Sequence, residues 1–126
     1  HIIGKSYVDF RFAVENATLS FRMDSNNTNL TTGNVLSANV WHCIVGTYNG
    51  TTKTRTIYLD GAQIATNTVA DLDWTNTANK FQIGNSPGES YYFNGQIAVG
   101  MAWAATLSAD EVLQAYNYFK HRYIKE

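Results

Sequence analysis

The sequence predicts an all-β, antiparallel domain closed by one C-terminal α-helix. Three observations carry that expectation. Short stretches rich in β-branched and aromatic residues alternate with clusters of Asn, Thr, Ser and Gly, and the chain holds a single proline, Pro87. Tight-turn pairs such as Asp60-Gly61 join the stretches. Helical spacing of apolar residues appears only after Ser108, at the end of the chain.

Taken in order, Lys5–Phe12 alternates Tyr7, Asp9 and Arg11 against Val8, Phe10 and Phe12. Thr18–Met23 alternates Leu19, Phe21 and Met23 against Ser20 and Arg22. Each reads as a strand with one buried face, and the turn signal Glu15-Asn16 pairs them as a hairpin. Asp24–Asn34 is expected to be a polar loop, because its Asn and Thr side chains favour local turns and it offers little to bury. Val40–Tyr48 is the strongest strand signal. Asn49–Thr52 turns the chain into Arg55–Asp60, and Asp60-Gly61 turns it again into Gln63–Thr68, which makes a three-stranded meander. A second polar loop, Asp71–Asn79, carries Trp74. Lys80–Gly84 is then a strand, Asn85–Ser90 a third loop, and Tyr91–Trp103 a long apolar strand with bends at Gly95 or Gly100. Ser108-Ala109-Asp110-Glu111 is a capping box opening a helix over about residues 109–122. Val112, Tyr116, Phe119 and Tyr123 supply its packing face.

The 126 residues are sufficient for one core without disulfides, and the lone Cys43 has no partner within the chain. Nine basic and ten acidic residues leave a net charge of −1. No phosphate-neutralising field is present, so nucleic acid is not an expected partner. No apolar run approaches the ~20 residues of a membrane-spanning helix. The opening His1-Ile2-Ile3-Gly4-Lys5 lacks the charged and apolar regions of a signal peptide and reads as the interior of a longer chain.

Six short elements occur in a telling order: Trp41-His42; Gly46-Thr47-Tyr48-Asn49-Gly50; Tyr58-Leu59-Asp60-Gly61; Ile83-Gly84; Phe93-Asn94-Gly95-Gln96-Ile97; and Leu107-Ser108-Ala109-Asp110-Glu111. In this order they resemble the laminin-G-like branch of the concanavalin A-like lectin/glucanase superfamily. The resemblance implies a two-sheet jelly-roll β-sandwich occupying residues 1–126 as a single domain. It also implies that the family's first strands lie outside this chain, leaving an exposed or unusually paired sheet edge. The Leu-Ser-Ala-Asp-Glu segment and its helix are similar to the C-termini of laminin-G-like modules in tailed-phage virion proteins.

Candidate chemistry is sparse. The glucanase branch supplies its acid/base pair from one strand as Glu-Xaa-Asp-Xaa-Xaa-Glu, a pattern this sequence lacks, so no catalytic residue is assigned and no enzyme activity is expected. His42 and Cys43, as consecutive strand residues, would face opposite sides and form no nucleophile pair. Many laminin-G-like domains hold a Ca²⁺ at the sandwich rim, and hard oxygen ligands suit that ion. Asp71, Asp73 and Asp24 are the candidates here, the alternative being that they are solvated turn formers. For sugar binding, Trp74 with Asp71, Asp73 and Asn76 has the composition of a stacking platform with hydroxyl readers, and Tyr91 and Tyr92 follow the neighbouring loop. The competing reading folds Trp74 onto the core edge as a loop anchor. Trp41 and Trp103 are expected in the core. Four Asn-Xaa-Thr sequons, at Asn16, Asn26, Asn29 and Asn49, would matter only in a eukaryotic secretory protein.

Two functions follow as expectations. The first is a non-enzymatic virion surface module, a capsid decoration or tail-associated protein, that homo-oligomerises or packs with other virion or surface subunits and touches host glycans through its loops. The second is a carbohydrate-binding or adhesion module of a secreted bacterial protein, located at the cell surface. A glycoside hydrolase fragment whose catalytic strand lies elsewhere ranks third.

Overall fold

The computed structural model describes residues 2–4, 11–23, 29–69, 81–85 and 92–123. Among the described residues, eight strands and one helix follow in chain order: β1 (Ile3–Gly4), β2 (Arg11–Glu15), β3 (Thr18–Arg22), β4 (Asn29–Asn34), β5 (Ile44–Asn49), β6 (Thr54–Leu59), β7 (Ala62–Thr68), β8 (Gln82–Ile83) and α1 (Ala109–Tyr123). They form a five-stranded sheet in the order β4-β3-β2-β1-β8 and a three-stranded sheet in the order β5-β6-β7. Every pairing is antiparallel.

The expected β2–β3 hairpin forms with Phe12 opposite Phe21 and Val14 opposite Leu19. Its turn lies one residue later than the sequence signal, at Asn16 (φ 49°) and Ala17 (φ 63°). Two successive positive φ values give the turn a twist that matches the strands it joins. The alternation of β3 is realised: Leu19, Phe21 and Met23 are buried. With Phe12, Leu30 and Ile57 they form the core cluster.

The two sheets pack face to face at close range. A Cβ on Gly46 of β5 would come within 2.9 Å of Phe12 Cε2 and 3.0 Å of Phe21 Cζ, so the absence of a side chain lets β5 lie directly on those rings. Burial is not purely apolar. Arg22 and Arg55 are both enclosed, and Arg55 Nε donates to Asn67 Oδ1 across the β6–β7 ladder at 2.8 Å.

Three elements depart from the sequence reading. Asn29–Asn34, expected within a loop, is the edge strand β4. Its single apolar anchor, Leu30, reaches the core. A register shift between Thr18 and Ser20 leaves the Leu19 amide to be satisfied by Thr32 Oγ1 at 3.0 Å. The Thr side chain thus completes the ladder instead of breaking it. Second, the strand expected from Val40 begins only at Ile44.

Third, the apolar run expected as a strand over Tyr91–Trp103 has no ladder among its described residues, apart from the single bridge Asn85↔Tyr92. A strand exists only where a neighbour receives its backbone bonds. Here the described contacts are Phe93 N to Gly84 O at 2.9 Å and the Thr106 hydroxyl donating to the Tyr48 carbonyl. The stretch instead lies over β8, with the Cβ position of Gly100 within 2.7 Å of Ile83 Cδ1.

The helix starts as its sequence dictates. Glu111 N donates to Ser108 Oγ at 3.2 Å, and Ser108 N donates to Glu111 Oε2 at 2.7 Å, which is the reciprocal capping box. Asp110 and Glu111 in the first turn and Lys120, His121 and Arg122 in the last complement the helix dipole. Val112 is fully buried, and Tyr116, Phe119 and Tyr123 are half-buried on the same face.

Candidate functional site

Between the inner face of the five-stranded sheet, strand β5 and the irregular stretch 93–107 lies an open groove of about 1150 Å³. Its lining includes the buried Phe12 and Phe21 and the aromatic side chains of Trp41, Tyr48, Phe93 and Trp103. Trp41 is 37% exposed and Trp103 49%, so neither is the core residue that the sequence suggested. The sequence signal for this was subtle. Gln96–Ala105 is apolar at nearly every position, with no alternation, so it gave no indication of which side chains would meet water. Among its described lining residues the groove carries no Asp or Glu.

One wall is the segment from Leu36 to Cys43, and a polar hub holds it. Asp60, in the β6–β7 turn, accepts from Cys43 N through Oδ1 at 2.8 Å and from the His42 ring Nδ1 through Oδ2 at 2.8 Å. Its own amide donates to Cys43 O at 2.8 Å. His42 Nε2 accepts from Ser37 N at 3.2 Å, which puts the ring proton on Nδ1. His42 and Cys43 are therefore not consecutive strand residues facing opposite sides, as expected, but a non-strand corner clamped to a turn. Both His42 nitrogens are engaged, Nδ1 with the Asp60 carboxylate and Nε2 with the Ser37 amide. Burial, and then the Asp60 charge beside it, push the Cys43 thiol up from its ordinary pKa, away from the thiolate that reactivity requires.

The helix seats on the same turn. Asp60 (φ 51°) and Gly61 (φ 83°) both adopt left-handed backbone, as a tight hairpin of this type requires. A Cβ on Gly61 would meet Tyr116 Cδ1 at 2.8 Å and Leu113 Cδ1 at 3.0 Å. Farther along α1, Tyr123 packs on Trp41 with ring centroids 5.8 Å apart. The Asp60-Gly61 turn thereby fixes both the groove wall and the helix behind it.

Of the residues named from sequence, Trp74, Asp71, Asp73, Asn76, Tyr91 and Asp24 lie outside the described residues. Tyr92 is described: it is 71% exposed and bridges to Asn85 through the backbone. The carboxylates named for calcium are thus not placed. Among the described residues no three His, Cys, Asp or Glu side chains come together as a metal site. No described helix is long and apolar enough to cross a membrane.

The Laminin_G_3 model of the concanavalin A-like lectin/glucanases superfamily matches residues 2–113. The chain belongs to this superfamily. No curated protein matches this laminin G-like domain significantly. Among solved structures it is similar to residues 221–444 of an S-layer domain-containing protein from Clostridium thermocellum, with a TM-score of 0.57 and 20% sequence identity. That likeness covers 86% of this chain and 64% of the other. At this identity the likeness bears on fold alone, and it agrees with the two-sheet architecture.

Proposed function

We propose that this laminin G-like domain is a non-catalytic carbohydrate-binding and adhesion module of a bacterial cell-surface protein. The observation that carries the reading is the concave, aromatic-walled groove, with Trp103 half open to solvent and Asn94 and Gln96 on the same stretch. An indole face covers the C–H face of a pyranose at little entropic cost, and neutral amides exchange hydrogen bonds with its hydroxyls.

The cell-surface setting draws on the likeness to the S-layer domain-containing protein. The reading as a virion decoration module rests on the Leu107–Glu111 segment and its helix alone, and it has no comparable support. The test is a glycan array followed by titration of the best hit. Trp103→Ala is expected to weaken binding by at least ~2 kcal/mol, about 30-fold in Kd, with the unfolding midpoint nearly unchanged. Trp74→Ala probes the platform suggested by sequence. A protein that binds no glycan, and instead assembles symmetrically through an interface above ~1,000 Å², would return the question to the virion reading.

A further inference from the structure

The sequence contains three Asx-Gly pairs, Asn49-Gly50, Asp60-Gly61 and Asn94-Gly95. Such pairs share a covalent hazard, because a following glycine leaves the backbone nitrogen unhindered by a side chain. The structure treats the three very differently. Asn49 closes strand β5, half-buried, and its Oδ1 accepts from both Thr51 N at 2.9 Å and Thr52 N at 3.1 Å. Those bonds fix the carboxamide in one orientation, so cyclisation must first break them. Asp60 has both carboxylate oxygens engaged, and Gly61 lies under Tyr116 and Leu113.

Gly95 also lies against a ring, its Cβ position falling 2.8 Å from Phe93 Cε1, but the Asn94 carboxamide lacks the bonds that hold Asn49. Asn94 is exposed, lies in neither strand nor helix, and its side chain makes no hydrogen bond among the described residues. The amide of Gly95 likewise has no backbone partner among them. Few local interactions oppose the backbone and χ1 rotations that bring Asn94 Cγ onto Gly95 N.

We propose that Asn94 is a site of spontaneous covalent modification, cyclising with Gly95 and reopening as aspartate or isoaspartate. Gly95 N gives up its proton and forms a bond to Asn94 Cγ. The Cγ–Nδ2 bond breaks and ammonia leaves with that proton, closing a five-membered succinimide. One water then opens the ring at either carbonyl, and nothing is oxidised or reduced. The product replaces a neutral amide on the groove wall with a carboxylate and takes the formal net charge from −1 to −2. The isoaspartate form also routes the backbone through the side chain.

The experiment incubates the folded protein in mildly alkaline buffer and follows each Asx-Gly peptide by mass mapping and isoaspartate-specific methylation. Asn49 is the like-for-like control, since both residues lose ammonia. Asn94 is expected to convert at least about tenfold faster than Asn49, equivalent to ~1.4 kcal/mol of local restraint on Asn49. In denaturant the two rates should converge, and Asn94→Gln should remove the fast phase while leaving the Asn49 rate unchanged. Conversion of Asn49 as fast as Asn94 in the folded protein would overturn the proposal. So would a rate ratio that denaturant leaves unaltered, because the difference would then belong to local sequence and not to the fold.

Discussion

Gly61→Ala places two independent penalties on one position. At φ 83° an L-residue sets its Cβ against its own backbone, which is unfavourable by roughly 1–2 kcal/mol. The same Cβ would sit 2.8 Å from Tyr116 Cδ1 and 3.0 Å from Leu113 Cδ1, well inside van der Waals contact. Overpacking of that kind adds about 1–3 kcal/mol, because the helix must move or the side chains leave their rotamers. Alanine returns some ~0.4–1 kcal/mol by restricting the unfolded chain. The net expectation is a loss of about 1–4.6 kcal/mol, read as a lower urea midpoint at unchanged m-value. A double-mutant cycle separates the two causes. Leu113→Ala relieves one of the two contacts and leaves the Tyr116 contact and the backbone part, so it should cost about 0.5–1 kcal/mol less in the Gly61→Ala background than in the parent. A Gly61→Ala midpoint within error of the parent, or a coupling energy of zero, would refute the docking of α1 on this turn.

Two further outcomes follow from the same geometry. Ala17 occupies left-handed backbone at φ 63° in the β2–β3 turn, where glycine carries no Cβ penalty, so Ala17→Gly should stabilise the protein by about 0.5–1 kcal/mol and raise Tm by a few degrees. Burial and Asp60 raise the Cys43 pKa in the folded state, so above pH 9.0 the unfolded chain loses the thiol proton while the folded protein keeps it. Stability should therefore fall as pH rises from 9.0 toward the higher folded value, and Cys43→Ala should remove that part of the alkaline loss in parallel urea titrations.

Much of the fold was legible because its signals are local. The alternation of Leu19, Phe21 and Met23, the Asp60-Gly61 turn and the Ser108–Glu111 capping box each act within a few residues, and each appears where the sequence placed it. β4 was missed because its polar side chains point equally to a loop. Pairing with β3, which arrives from outside the segment, makes a strand of it, and Thr32 Oγ1 fills the one gap in the ladder at the Leu19 amide. The groove was missed for the opposite reason. An unbroken apolar run such as Gln96–Ala105 fits a buried strand or a lining wall equally well, and nothing within the run says which neighbour will take its backbone bonds.

The sequence alone therefore determined an all-β chain with a capped C-terminal helix, and the family to which its ordered motifs belong. Tertiary structure decided what the same local chemistry becomes. It made His42 a backbone clamp through a residue eighteen positions away. It set Trp103 on a groove wall, and it restrained Asn49 while leaving Asn94 open. The physical reason is shared: turns, caps and alternation are settled by nearest neighbours, whereas exposure and hydrogen-bond engagement depend on which distant strand or turn arrives alongside.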